Sequence, residues 1–300
     1  MYIIVGASGH TGRLAAEKLL ATGAKVRVLG RDAKKLEPLA QKGADVAITD
    51  MTDAASVQKA FSGGRAAHIL IPPNPSASDV RGYQELVTDN IASAIRENGL
   101  SHATVVSSTG ADQTYGTGPV VGLHSLEQKL WAIDGLNVVS LRCGYFMENT
   151  LPQIGVIQSM GFVAGPLRDD VDVPMIATKD IGAVSGDLLA KLDFKGKSTR
   201  ELLGPRHIAY PEAAKILGAA IGKPDLSYRQ VPNAVLKPAM MQMGMSASVV
   251  DVMLEMFEAL NTGLMKSREP RSPQNTTPTT LESFAAEVFA PAYRGKAAGA

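Results

Sequence analysis

Cysteine is all but missing from these 300 residues: Cys143 stands alone, so no intrachain disulfide can form and nothing marks an oxidising compartment. The five histidines, His10, His68, His102, His124 and His207, are scattered. With one cysteine they lack ligand-like spacing, and no metal site is expected. Excess charge of either sign is also lacking, since 30 Lys+Arg face 29 Asp+Glu for a formal net charge of +1. A general nucleic-acid binder needs surplus cations to displace phosphate counterions, so that class is set aside. A local basic pocket for one phosphorylated ligand stays open. No apolar run approaches the roughly 20 residues of a membrane span. Met1 leads straight into Tyr2-Ile3-Ile4-Val5-Gly6 without a basic n-region or a long apolar h-region, and a cytoplasmic protein is the expectation. Internal repeats are absent.

Hydrophobic residues make up 45% of the chain and charged ones 20%, the balance of a globular protein with a real core. Ile3–Val5, Val26–Leu29, Val46–Ile48, His68–Ile71, Thr104–Val106 and Val138–Leu141 read as strands of a parallel sheet covered on both faces. Helical stretches alternate with them, and Val87, Ile91 and Ile95 form the clearest stripe. This alternation predicts an α/β fold, a Rossmann doubly wound parallel sheet, with a smaller and mostly helical C-terminal domain. Residues 1–150 are expected to form the sheet domain, 178–205 to pack back on it, and 151–300 to form the smaller domain. Beyond residue 150 the pattern loosens over Gly161–Pro174. It then predicts helices at Asp180–Leu192 and Tyr210–Ala220, a short strand at Glu201–Leu203, and a helix face of Met253, Met256, Phe257, Leu260 and Leu264. Lys266–Pro278 reads as a loop, Leu281, Phe284, Val288 and Phe289 as a last helix, and Arg294–Ala300 as a tail that frays.

Gly6-Ala-Ser8-Gly9-His10-Thr11-Gly12 follows the first strand and opens a helix. Such glycines allow the tight turn, the approach of backbone N–H groups to a pyrophosphate, and close helix–strand packing. The helix N-terminus beyond them favours anions. At the end of the second strand an NAD site offers a carboxylate and an NADP site an arginine. Here Gly30 falls where the acid would stand, Arg31 follows, and Lys35 lies one turn on. A guanidinium fork and an ammonium charge both suit a 2′-phosphate. The rival reading is a solvated helix start whose cations pair with Asp32 and Glu37. Asp50-Met51 ends the third strand within reach of an adenine, while Thr52 or Asp53 would cap the next helix. Ile71-Pro72-Pro73 stiffens the end of the fourth strand, where open α/β sheets bind ligands; a plain rigid turn is the alternative.

These residues, with Leu141-Arg142-Cys143-Gly144-Tyr145-Phe146-Met147-Glu148-Asn149, resemble the NmrA-like branch of the atypical short-chain dehydrogenases/reductases. Val173–Gly182 with its Asp180-Ile181-Gly182, Leu202-Leu203-Gly204-Pro205 and Thr280–Phe284 extend the likeness almost end to end. The resemblance implies NADP(H) as cofactor, bound by residues 1–150 as an NAD(P)-binding domain, and a substrate-binding domain in 151–300. By it, Arg31 and Lys35 lie on the 2′-phosphate, Asp50 and Met51 on the adenine, and Ile71–Pro73 on the cofactor's middle. Tyr145, Phe146 and Asn149 would lie beside the nicotinamide end. Quinone and dye reductases belong to this branch, as do cofactor-sensing regulators that do no chemistry.

Two departures stand out. The superfamily's Tyr-x-x-x-Lys pair is missing after the fifth strand: Tyr115 is followed by Pro119, and Ser125 with Lys129 keeps the spacing but offers a poor acid. His124 stands where the branch often carries a lysine, and Cys143 where a proline is common, a packing change. His124 titrates near neutrality and could protonate a developing oxyanion or bond the ribose; a capping histidine is the plain alternative. Tyr145 is the second candidate donor. Ser107 and Ser108 end the fifth strand and, without the tyrosine, are expected to bond the carboxamide or the backbone. Seven of the twelve methionines, Met240, Met241, Met243, Met245, Met253, Met256 and Met265, fall together, as a cap over a flat substrate or as ordinary helix core. The expected function is an NADPH-dependent reduction of a small apolar electrophile, a quinone first. The alternative is an NADP(H) sensor acting through a protein partner. A homodimer is the assembly entertained.

Overall fold

Most of the β-branched runs become strands because they are buried on both faces; every residue of β1 (Tyr2–Ile4) and β4 (Ala66–Ile69) is inaccessible or nearly so, whereas the edge run Val46–Ile48 is half-buried or exposed. In the computed structural model, which describes residues 1–295, the first half alternates strand and helix throughout. Between β1 and β4 lie α1 (His10–Ala21), β2 (Val26–Gly30), α2 (Ala33–Ala40), β3 (Asp45–Ile48) and α3 (Ala54–Phe61). Then come α4 (Val80–Glu97), β5 (His102–Ser108), α5 (Val120–Trp131) and β6 (Asn137–Cys143). The second half holds β7 (Tyr145–Phe146), α6 (Gln153–Met160), β8 (Val163–Gly165), β9 (Asp172–Ile176), α7 (Thr178–Lys191) and β10 (Lys197–Leu202). It continues with β11 (His207–Ala209), α8 (Tyr210–Ala220), β12 (Tyr228–Gln230), α9 (Asn233–Gln242) and α10 (Ala247–Asn261).

Seven parallel strands form one sheet in the order β10-β6-β5-β4-β1-β2-β3, the doubly wound α/β arrangement. Its carboxyl ends therefore share one edge. Val87, Ile91 and Ile95 of α4 are fully buried against one face. On the other face α7 crosses α1 so closely that a Cβ on Gly182 would sit 2.6 Å from the Thr11 carbonyl oxygen. The glycine of Asp180-Ile181-Gly182 is thus a close-approach residue.

The C-terminal half adds two small sheets, β11-β9-β7 and β12-β8, around a second core that includes Phe284 and Phe289. Gly161–Pro174 is more ordered than its glycines and prolines predict, since β8 and the start of β9 fall within it. Leu264 lies past the end of α10, so the predicted Met/Leu face is one turn too long. Leu281–Tyr293 is helical, with a π-turn at Ala285–Phe289; of the predicted tail, 296–300 lie outside the described residues. Lys266–Thr280 forms no helix or strand, yet it is strapped down. Buried Glu201 accepts from the amides of Arg268 (2.8 Å) and Glu269 (3.1 Å), and buried Asp180 from the Thr279 amide (3.0 Å) and hydroxyl (2.7 Å). Among the described residues no helix is long and apolar enough to cross a membrane.

His68 sits in the middle strand with no exposure, its Nδ1 2.7 Å from the Ser185 hydroxyl and its Nε2 without a partner among the described residues. Burial lowers its pKa from an ordinary 6.5 to about 4. The unfolded chain therefore takes up a proton that the folded chain refuses, and stability falls as pH drops below 6.5 toward 4. This group alone should remove about 2 kcal/mol between pH 7 and pH 5. Urea unfolding at both pH values should show His68→Leu losing that much less than the parent; equal losses would contradict a neutral buried imidazole.

Candidate active site

Two hollows run along the carboxyl edge of the sheet and share Thr11, Leu70 and Pro73 in their walls. The first, of about 390 Å³, is built where the strand ends turn into helices. The β1–α1 turn contributes Gly6, Ser8 and Gly9 to it. A Cβ on Gly12 would meet the Gly6 carbonyl oxygen at 2.6 Å, so only glycine lets the helix start this close to the strand. No side chain caps α1, which leaves its first amides free to meet an anion.

Gly30, Arg31 and Lys35 line the opposite wall. Both cations are exposed, and neither forms an ion pair among the described residues. Asp32 points its carboxylate at the Lys34 amide, 2.9 Å away, and caps α2. The solvated-helix reading needed Asp32 and Glu37 as partners, and the structure pairs neither with these cations. Asp50 accepts from the Thr52 amide (2.9 Å) and hydroxyl (2.8 Å), bonds that hold its carboxyl below the usual range. Asp53 caps α3. Helix α4 fixes the two neighbouring strand ends: Asn90 donates to the Met51 carbonyl at 2.9 Å and the Tyr83 hydroxyl to the Pro72 carbonyl at 2.8 Å. Tyr83 lies one turn before Val87, on the stripe visible in the sequence.

The second hollow, about 580 Å³, lies between the sheet edge and the C-terminal half. Its walls are mostly apolar: Val106, Val120, Leu123, Phe146, Val171, Val173, Pro174, Met253, Met256, Leu260 and Met265. Ile71, Ser107, Ser108, Tyr145, Asn149, His207 and Lys266 also border it. Burial keeps His207 below its ordinary value, with Arg271 adding to the effect. Helix α10 roofs this chamber and is pinned to the loop after β4. The Ser246 amide donates to the Pro75 carbonyl at 2.9 Å, the Val80 amide to the Ser248 hydroxyl at 3.0 Å, and Arg81 pairs with Glu255 at 2.7 Å.

Behind the wall lies a charged knot. Glu127 on α5 has no exposure and takes a fork from Arg142 (3.1 and 2.6 Å) and the Ser107 hydroxyl (2.6 Å). Ser107 and Arg142 are register partners on β5 and β6, which places both on the α5 side of the sheet. Ser107 thus spends its hydrogen on Glu127 and presents lone pairs to the chamber. Ser108 donates to the Thr109 carbonyl at 2.9 Å. Tyr145 is half-buried, and burial raises its pKa, so it stays protonated at neutral pH.

Of the residues expected at the site, Gly6, Ser8, Gly9, Thr11, Arg31, Lys35, Asp50, Met51, Pro72 and Pro73 come together in the first hollow. Ile71, Ser107, Ser108, Tyr145, Phe146 and Asn149 come together in the second. His10, Gly12 and His124 are not among the described residues lining either. His124 has its Nδ1 2.8 Å from the Ala111 carbonyl, which ties α5 to the preceding loop. Ser125 and Lys129 turn to Glu85 on α4, Lys129 also to Asp89. Three of the clustered methionines wall the chamber, whereas Met241 and Met243 are exposed. Cys143 is fully buried with Leu141, Ile181 and Leu202, and burial pushes its thiol up. Sequence reading missed Tyr83, the β8–β9 residues Val171 and Val173, and the Glu127 knot.

A profile of the NmrA-like family matches residues 2–285. No curated protein matches. Among solved structures, the NADPH complex of the NADPH-dependent quinone oxidoreductase QOR2 from Escherichia coli is 22% identical, with a TM-score of 0.79, covering 95% of this chain and 99% of that one. The NADP(H) complex of the triphenylmethane reductase of Citrobacter sp. is 18% identical at a TM-score of 0.78, with 95% and 99% covered. A nucleoside-diphosphate-sugar epimerase (SAV0421) from Staphylococcus aureus is 21% identical at 0.77, again with 95% and 99% covered. At these identities the likeness establishes the fold, and three different names on one fold show that it does not choose the chemistry.

Removing one partner of a buried ion pair strands the other charge. Glu127→Ala should therefore lower unfolding stability by about 3 kcal/mol in urea titration, with Arg142 and Ser107 both left unpaired. A loss below about 1 kcal/mol would mean that solvent reaches the pair.

Proposed function

The chain belongs to the NmrA-like family, and from that premise we propose that it is an NADPH-dependent reductase passing hydride to a small apolar electrophile, most readily a quinone. The observation that carries this reading is the pairing of the two hollows. One ends in free cations and an uncapped helix terminus; the other is an apolar chamber, and they meet at Thr11, Leu70 and Pro73. The residues present suit NADP(H). The α1 amides would take the diphosphate, Arg31 and Lys35 the 2′-phosphate, and Asp50 and Met51 the adenine. Bound there, the cofactor supplies the hydride.

The chain's own part is positioning and exclusion of water. Ser107, held by Glu127, offers an acceptor to an amide N–H. Tyr145, neutral and at the chamber wall, offers a hydrogen bond to oxygen that gains charge. The chamber's aliphatic and thioether walls fit a flat apolar body and keep water from it. His124, engaged with Ala111, is left to brace α5. We place the protein in the cytoplasm, with the substrate pocket closed over the sheet edge by the part of the chain beyond residue 150.

A second reading, an NADP(H) sensor without chemistry, draws on Ser125 and Lys129, which bond α4 and leave the site without the superfamily's lysine. A sensor must bind oxidised and reduced cofactor differently. Equal affinities would remove it.

The test is anaerobic loss of NADPH absorbance with a panel of quinones and dyes. Arg31→Ala should raise KM for NADPH about 10- to 100-fold, the range for a lost hydrogen bond to a charged group, and leave KM for NADH nearly unchanged. No turnover with any acceptor, while NADPH still binds, would replace the enzyme with the sensor.

A further inference from the structure

Tyr145 is one end of a row of phenols that runs from the chamber wall into the C-terminal core. The Tyr210 hydroxyl lies 2.8 Å from the Tyr145 hydroxyl, with the rings edge-on at 6.0 Å. Tyr210 in turn packs against Tyr228 at 5.0 Å between ring centres. Tyr228 spends its hydrogen on the Leu167 carbonyl, 2.7 Å away. Tyr210 is 5% exposed, and Tyr145 is its one hydrogen-bond partner among the described residues. A buried O–H has to donate, so the direction is set: Tyr210 donates and Tyr145 accepts.

The consequence falls on Tyr145. Its oxygen already receives Tyr210, and the Asn149 side chain faces the same hydroxyl; both contacts ease the charge on that oxygen. Its own hydrogen then has to go elsewhere, and the open side of Tyr145 is the chamber that it lines.

We infer that Tyr210 is a positioning residue that fixes Tyr145 as a one-way hydrogen-bond donor into the chamber, selecting acceptors that place a lone pair, such as a quinone oxygen, against it. The inference rests on the reductase reading for its chemistry but not for its geometry. Tyr210 contributes no contact to the substrate. It orients Tyr145 and, by donating to it, makes it a better donor in turn. The Tyr210 hydroxyl sits at the first residue of α8, and β11 and Pro211 fix that helix start.

The experiment is a double-mutant cycle with Tyr145→Phe, Tyr210→Phe and both, each removing one oxygen at nearly constant volume. With the best quinone of the panel, kcat should fall about 100-fold for Tyr145→Phe, the lower range for a lost proton donor. Tyr210→Phe should lower kcat about 10-fold, with KM for NADPH and the thermal midpoint held close to the parent's. The double variant should match Tyr145→Phe alone, because Tyr210 acts only through Tyr145. Losses that multiply in the double variant, or a Tyr210→Phe as active as the parent, would overturn the inference. If no acceptor turns over, the reductase reading fails separately, and the same four proteins are titrated calorimetrically with 1,4-naphthoquinone in the presence of NADP⁺. A smaller loss of affinity in Tyr210→Phe than in Tyr145→Phe, with the double variant matching Tyr145→Phe, would sustain the assignment; losses that multiply, or none in either single variant, would overturn it.

Discussion

Everything at the chamber depends on how a loop without secondary structure is held to a parallel sheet, and two buried carboxylates do it. A strap that forms no helix or strand leaves its amides without partners, which is costly wherever water is excluded. Glu201, at the end of β10, takes two of those amides, and Asp180, in the first turn of α7, takes an amide and a hydroxyl. Asp180 also sits where a helix terminus favours negative charge. Met265 and Lys266, just ahead of the Glu201 clip, owe their place in the wall to it. Half-buried Glu148 does the same for Thr178, joining the turn after β7 to the start of α7. Glu201 and Asp180 belong to the sheet side and hold groups of the cover; Glu148 reaches the other way, from the cover to the start of α7.

This division explains what could be read from the chain alone. Six of the seven strands of the main sheet were legible because short apolar runs mark them between helical stretches; β10 is polar over its first five residues and showed only its end, at Glu201–Leu203. The phosphate turn was legible for the same reason: all three glycines lie within seven residues. The C-terminal sheets were not, because β12 pairs with β8 across more than sixty residues and each strand is three residues long, too short to show a period. Helix α9 buries no residue and so writes no stripe.

Single residues show the same limit. Arg31 and Lys35 could be placed beside the glycine turn because strand order puts β1 and β2 side by side. His124 could be placed on α5 but not aimed, since its partner Ala111 belongs to a loop with no pattern. The methionines do not act as one group: Met253, Met256 and Met265 line the chamber, whereas Met241 and Met243 face solvent and fit neither a cap nor a helix core. Glu127 looked like any helix acid; its burial follows from Arg142 on a strand across from it, a pairing that only the fold brings about.

The clasp between α10 and the loop and helix start after β4 joins the two hollows. The loop that carries Pro72 and Pro73 into the first hollow is bonded to the helix that roofs the second. An occupant that shifts the loop must do work on the roof, and the converse holds with equal magnitude. Two ligands that each shift this clasp are therefore linked: by whatever factor the first changes the affinity of the second, the second changes that of the first. Linkage of this kind favours no order of binding, and it belongs to this hinge of serines and one arginine rather than to either ligand.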